Sequence, residues 1–157
     1  MTKLLSQIFM EAKSPCITWE GEPLFGLVEI PALSKFDVTF SRAKQHPVQG
    51  ITLKCVNGKL LINDIEAVEM VVWADTAPVE IKVAVLPTGK VPPRLKIWNV
   101  WRGKVGGVDV KQAWLGNAGM RVAHQSDGLR MRCSDGEGPI DFHDLVADLR
   151  FHEPDQG

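Results

Sequence analysis

The stretch ITLKCVNGKLLI, residues 51–62, decides the fold. Ile51, Leu53 and Cys55 alternate with Thr52 and Lys54, so an extended chain here has one apolar and one polar face. Asn57-Gly58 comes next, and both residue types tolerate the positive φ that a two-residue hairpin demands. Leu60 and Ile62 then begin a second strand. The reading is a β-hairpin that turns at Asn57-Gly58.

The same period of two recurs on both sides. Phe36, Val38 and Phe40 alternate with Asp37, Thr39 and Ser41, and Val79, Ile81, Val83 and Val85 with Glu80, Lys82 and Ala84. Leu95 and Ile97 alternate with Arg94, Lys96 and Trp98. Met120 and Val122 lead into the turn Ser126-Asp127-Gly128, after which Leu129, Met131 and Cys133 alternate with Arg130 and Arg132. Leu145, Ala147, Leu149 and Phe151 close the series. Eight to ten strands follow, most with one solvated face, which is the mark of antiparallel sheets. Pro and Gly clusters separate them, at Pro87-Thr88-Gly89, Pro92-Pro93, Gly103 to Gly107 and Asp135 to Pro139.

Only the N-terminus reads differently. Leu4, Leu5, Ile8, Phe9 and Ala12 recur at helical spacing, Thr2 offers a cap, and Ser14-Pro15 ends the winding. This predicts one short helix over residues 3–12. With no second helix there are no βαβ crossovers, and the apolar strand faces must close on one another. The expected fold is therefore all-β, an antiparallel β-sandwich of jelly-roll type with one short N-terminal helix. One domain spans residues 1–157, and the polar residues 153–157 form a loose tail.

Composition narrows the function classes. Net charge is −1, and hydrophobic residues make up 45% of the 157, an ordinary globular balance that favours neither nucleic acid nor an anionic membrane. The charge is uneven along the chain. Residues 82–132 hold ten Lys or Arg and only Asp109 and Asp127, a net of +8, whereas residues 133–157 hold seven acids and only Arg150, a net of −6. Cys16, Cys55 and Cys133 are odd in number and widely spaced, so no disulfide framework is indicated. No apolar run reaches the length of a membrane span or a convincing signal peptide. The expected location is the cytoplasm.

The five tryptophans stand out in a chain without tyrosine. Trp98 and Trp101 sit in LKIWNVWRGK, residues 95–104, and Trp114 follows. Trp98 shares strand parity with Lys96 rather than with Leu95 and Ile97, which places it on the polar face. A flat indole beside Asn99, Arg102 and Lys96 suits stacking on a sugar ring, a base or a partner's side chain. The alternative is that these indoles cover the core.

Other constellations are weaker. Gly116-Asn117-Ala118-Gly119 could aim backbone N–H groups at a ligand or simply turn the chain, and GxxxxGK[ST] is absent. Asp135, Glu137, Asp141 and Asp144 offer hard oxygen ligands for a structural calcium ion, or a solvated loop before the last strand. The histidines, His46, His124, His143 and His152, form no HExxH motif. A metal site would have to assemble across strands, for example from His124 and His143 with Asp141 or Asp144. GxSxG is absent, and Cys55 and Cys133 share parity with core residues.

The alternating strands, the Trp-rich stretch at residues 95–114 and the acids Asp141 to Asp144 before the last strand give a layout that resembles jelly-roll carbohydrate-binding modules over residues 24–151. The resemblance implies a sugar-type ligand and carries no site residue across.

The functional expectation is a non-catalytic binding module for a small-molecule or glycan ligand, using Trp98, Asn99, Trp101, Arg102, Lys96 and Trp114, with no cofactor and no membrane. A second reading is polyanion or single-stranded nucleic-acid binding through the basic block at 82–132. A third is a metal-dependent β-barrel enzyme. The helix at 3–12 is apolar around most of its circumference, which also points to a homodimer that covers its outer side.

Overall fold

A computed structural model describes residues 3–32 and 35–152. Thr2 and the tail at 153–157 lie outside the described residues. In chain order the elements are α1 (Leu5–Ala12), β1 (Cys16–Trp19), β2 (Glu22–Phe25), β3 (Val28–Pro31), β4 (Lys35–Ala43), β5 (Gln49–Val56), β6 (Gly58–Ile62), β7 (Ile65–Ala67), β8 (Glu69–Trp73), β9 (Ile81–Pro87), β10 (Arg94–Val105), β11 (Val108–Gln112), β12 (Gly119–Gln125), β13 (Gly128–Ser134) and β14 (Leu145–Phe151). The protein is all-β apart from α1, and its strand pairs are antiparallel. Among the described residues no helix is long and apolar enough to cross a membrane.

Two sheets enclose the core. The first runs β1-β2-β12-β13-β14-β4-β9-β6-β7, and the second runs β11-β10-β5-β8, with β3 paired to the first half of β10. The strands divide nine and five between the sheets, a division that does not by itself give the eight-stranded double Greek key of a jelly roll. The inward residues are the ones the period of two picked out: Phe36, Val38, Val83, Met131 and Leu149 from the first sheet, and Ile51, Leu53, Leu95 and Ile97 from the second. Cys55 and Cys133 are buried among them, while Cys16 is exposed.

The stretch at residues 51–62 does not turn back where Asn57-Gly58 suggested. β5 pairs with β10 and β8 in the second sheet, and β6 pairs with β9 and β7 in the first. The hairpin is longer and bent. Its register runs through Gly50↔Trp73 and Lys54↔Glu69, crosses a corner where the Cys55 N–H donates to the Val68 carbonyl at 2.8 Å, and resumes at Leu60↔Ala67 and Ile62↔Ile65. Asn57 does adopt a left-handed conformation, φ 62°, but it serves as the hinge of the corner rather than as half of a turn. The true turn is Asn63-Asp64, with φ of 50° and 65°. Both central residues at positive φ is the hairpin geometry that matches strand twist. Left-handed backbone disfavours a Cβ-bearing residue without a short polar side chain by about 1–2 kcal/mol. Asn63→Ala is therefore expected to lower stability by about 1 kcal/mol in urea unfolding, while Ile65→Thr on the adjacent exposed strand should change little.

Gly106 and Gly107, with φ of 59° and 82°, form the same kind of turn between β10 and β11. Ser126-Asp127 joins β12 to β13, with Gln125 opposite Gly128 as the sequence implied. Helix α1 starts two residues later than the periodicity marked. Its apolar face does pack inward: Leu5 is buried with Ile17 and Leu24, and Ile8 and Phe9 lie beside them. Lys13, with φ 51°, ends it, and its N–H donates back to the Phe9 carbonyl.

Candidate functional site

Trp98 lies on the outer face of the second sheet, as its parity with Lys96 required, yet it is only 8% exposed. The reason is a second layer. The segment after β11 folds back across that face and lays the Trp114 indole against Trp98, ring centres 5.0 Å apart and planes 31° from parallel. Trp114 holds φ 56°, a left-handed backbone that a bulky residue rarely adopts. Its Nε1 donates to the Gly26 carbonyl at 2.8 Å, which pins the ring. Half of the residue, 51%, stays exposed.

The glycine-asparagine run at 116–119 explains how that segment is held. The Gly116 carbonyl accepts from the Ser6 N–H at 2.9 Å, and Asn117 Oδ1 accepts from the Leu5 N–H at 3.2 Å. The run thus satisfies two free N–H groups at the start of α1, whose N-cap residue, Leu4, has no side-chain acceptor to offer them. Between α1 and Trp114 a cleft of about 370 Å³ opens, lined chiefly by Phe9, Met10, Pro15, Leu27, Trp114 and Ala118. Its hydroxyls come from Ser6 and Ser14, and Ser14 Oγ is already bonded to the Cys16 backbone at 2.8 Å.

The other residues singled out in the sequence go elsewhere. Trp101 points into the interior, 1% exposed, with its Nε1 donating to Gln112 Oε1 at 3.1 Å. Asn99 is also buried, its amide donating to the Ser134 carbonyl at 2.9 Å. Arg102 stacks over Trp73, 4.4 Å from the ring centre, and pairs with Asp75 at 3.0 Å. Lys96 is half-buried on β10, opposite Lys54 and Glu29 on the flanking strands. The structure therefore brings Trp98 and Trp114 together and disperses the remaining four.

The acidic segment forms a buried polar cluster. Asp135 is fully buried and accepts from Lys44 Nζ at 3.1 Å, from Gln49 Nε2 at 2.8 Å and from the Glu137 N–H at 2.9 Å. Asp144 accepts from the Asp135 N–H at 3.0 Å. Burial raises the Asp144 pKa above the ordinary carboxylate value; the bond from the Asp135 backbone opposes this, and the Asp135 charge adds to it. Burial alone would lower the Lys44 pKa, but the Asp135 hydrogen bond and charge, then Asp144 and Glu137, outweigh it and leave the pKa raised. Asp141 turns away and caps the His143 N–H at 2.9 Å. Among the described residues no group of three or more His, Cys, Asp or Glu is arranged to hold a metal ion. The Lys44 ammonium stands where a cation would meet Asp135 and Asp144.

Sequence reasoning missed Phe9 and Met10 as cleft residues. Met10 is 75% exposed, and the over-wide apolar ring of α1 was the signal that a second face of the helix needed a use. The fold and this cleft define an all-β, two-sheet domain with an aromatic-walled surface site. No protein-family model, curated protein or solved structure matches the chain.

Proposed function

We propose that the protein is a non-catalytic binding module whose ligand platform is the exposed face of Trp114, backed by Trp98 and walled by Phe9 and Met10 of α1. The observation that carries this reading is the state of Trp114. The ring is held in a strained backbone, its one polar atom is already satisfied, and its face is left open beside an apolar cleft. Such a surface favours a flat apolar or aromatic group. A sugar ring would find the indole face but few partners for its hydroxyls, since Ser14 Oγ is committed. The basic block at 82–132 is a weaker basis for a single polyanion surface, because its members lie on both sheets and Arg94, Arg102 and Arg130 are paired with acids.

Intrinsic fluorescence titration with an aromatic, an alkyl and a glycan panel tests the proposal. Aromatic or alkyl ligands should give a saturable change in emission that Trp114→Ala removes while leaving the unfolding free energy within about 1 kcal/mol of wild type. A response to glycans alone would transfer the site to sugars. No saturable response from any panel would end the proposal. Light scattering on the same samples identifies the competing occupant: a dimer that Trp114→Ala dissociates would mean that the cleft receives a second copy of the chain.

A further inference from the structure

We propose that the outer face of the first sheet carries an oxyanion site, separate from the Trp114 cleft, built on Arg121 and Arg132, extended by Arg42, and suited to a small soluble ligand bearing a phosphate or diphosphate group.

The register supplies the first observation. Arg121 on β12 lies directly opposite Arg132 on β13, Arg132 opposite Val146 on β14, and Val146 opposite Arg42 on β4. Directly opposed residues share a face, so the Arg121 and Arg132 stems stand side by side, and Arg42 continues the row across β14, next to a register shift between Val146 and Ala147. At about 5 Å per strand step, Arg121 and Arg132 are neighbours and Arg42 is about 10 Å beyond. Like charges directly opposite one another destabilise a sheet. The neighbouring rows on this face meet that problem with acids: Arg130 makes two bonds to Asp148, at 2.8 and 3.2 Å, and Arg150 pairs with Asp127 at 3.0 Å. In the Arg121 row no member has a carboxylate within ion-pairing reach among the described residues. An unneutralised row beside neutralised ones leaves a place for a negative charge, since no described carboxylate pairs with these arginines.

Preorganisation is the second observation. The Arg121 guanidinium lies 5.3 Å from the ring centres of both Trp19 and Phe142, which meet edge to face at 6.0 Å. It donates to the Trp19 carbonyl at 2.8 Å, the Glu22 carbonyl at 2.8 Å and the Pro23 carbonyl at 2.7 Å. Three of its five N–H groups are thus committed, and two remain for a ligand. Arg132 makes no such bonds among the described residues and lines the same cleft, about 530 Å³ in volume, with Trp19, Phe142 and Arg121. That volume is of small-molecule size. Glu20 and Glu22 also line it. Their carboxylates steer an anion away from the β1–β2 hairpin and toward Arg132 and Arg42.

The row also selects the ligand. One carboxylate is satisfied by a single guanidinium fork, whereas a doubly charged tetrahedral oxyanion can bridge two forks about 5 Å apart. A diphosphate has the length to approach the third.

Thermal unfolding of the full chain, in sodium pyrophosphate against sodium chloride at equal ionic strength, is the experiment. Pyrophosphate should raise the midpoint by about 2–4 °C beyond chloride and saturate. Arg132→Gln should abolish that increment while slightly raising the midpoint without ligand, because it removes the like-charge contact. Arg132→Lys keeps the charge and loses the fork, and should give less than half of the wild-type increment. Phosphorus NMR line broadening of pyrophosphate reads binding independently of folding and should disappear in Arg132→Gln. Equal effects of pyrophosphate and chloride, or a full response in Arg132→Gln, would overturn the site. Binding to phosphatidic-acid vesicles without any effect of soluble pyrophosphate would overturn its assignment to a soluble ligand.

Discussion

Trp101→Ala should cost about 3–5 kcal/mol, enough to leave the chain unfolded in modest urea. Trp101 is the largest fully buried side chain, and it does more than fill volume. Its ring lies so close against Gly136 that a Cβ there would clash with Cζ2, and its Nε1 holds Gln112 on β11. Removing the indole opens a cavity, orphans Gln112 Oε1 and frees the segment after β13 from β10. Equilibrium urea denaturation read by circular dichroism checks the size of the loss. Trp101→Phe, which keeps most of the ring but not the donor, should fall between the two. An effect below about 1 kcal/mol for the alanine variant would show that the core closes around the gap.

Lys44→Met should also be costly, about 1–2 kcal/mol, because it takes the cation from a carboxylate that is fully buried, while the 37% exposure of the Lys44 side chain lets water screen part of the pair. Asp135 would keep Gln49 Nε2 and the Glu137 N–H as donors, but no charge of opposite sign. The pH dependence has a definite sign. The Lys44 pKa in the folded state lies above its ordinary value of 10.5, so its contribution is complete below 10.5 and drains away as pH rises through the higher folded value. The stability gap between wild type and Lys44→Met should therefore be flat from neutral pH to about 10 and close above it. Adding Asp135→Asn to the variant removes the stranded charge and should recover part of the loss. Urea midpoints across the pH series decide the matter, and a gap that widens in alkali would refute the ion-pair account.

How much of this was legible in the sequence depended on distance along the chain. Strands with three alternating apolar residues, such as the one carrying Phe36, Val38 and Phe40, declared themselves. β1, β2, β3 and β7 are only three or four residues long, too short to display a period of two, and they account for much of the shortfall from the fourteen strands among the described residues. Asn57-Gly58 carried a real signal for positive φ. Whether such a residue turns a chain back or bends it into the other sheet depends on what receives the next strand, here β9, which lies more than twenty residues later. The parity of Trp98 was readable, but its cover was not, because Trp114 is fixed by Gly26, 88 residues away in sequence. The same holds for the polar cluster, whose Lys44 and Asp135 are 91 residues apart. The acids were visible, but their partners were not.

The bent hairpin has a mechanical consequence. Two hydrogen-bonded chains, not one loose connection, carry the polypeptide around the corner between the sheets. Like the spine of a book bound in double thread, this seam resists one cover sliding past the other, because shear would have to break the ladder on both sides of Asn57. The sheets are thus a poor source of ligand-driven motion. Movement on binding belongs instead to the parts stitched on from outside: helix α1, tied at its first turn to Gly116 and Asn117, and the strained Trp114 beside it. A guest in that cleft would press helix and loop together over an unmoving base.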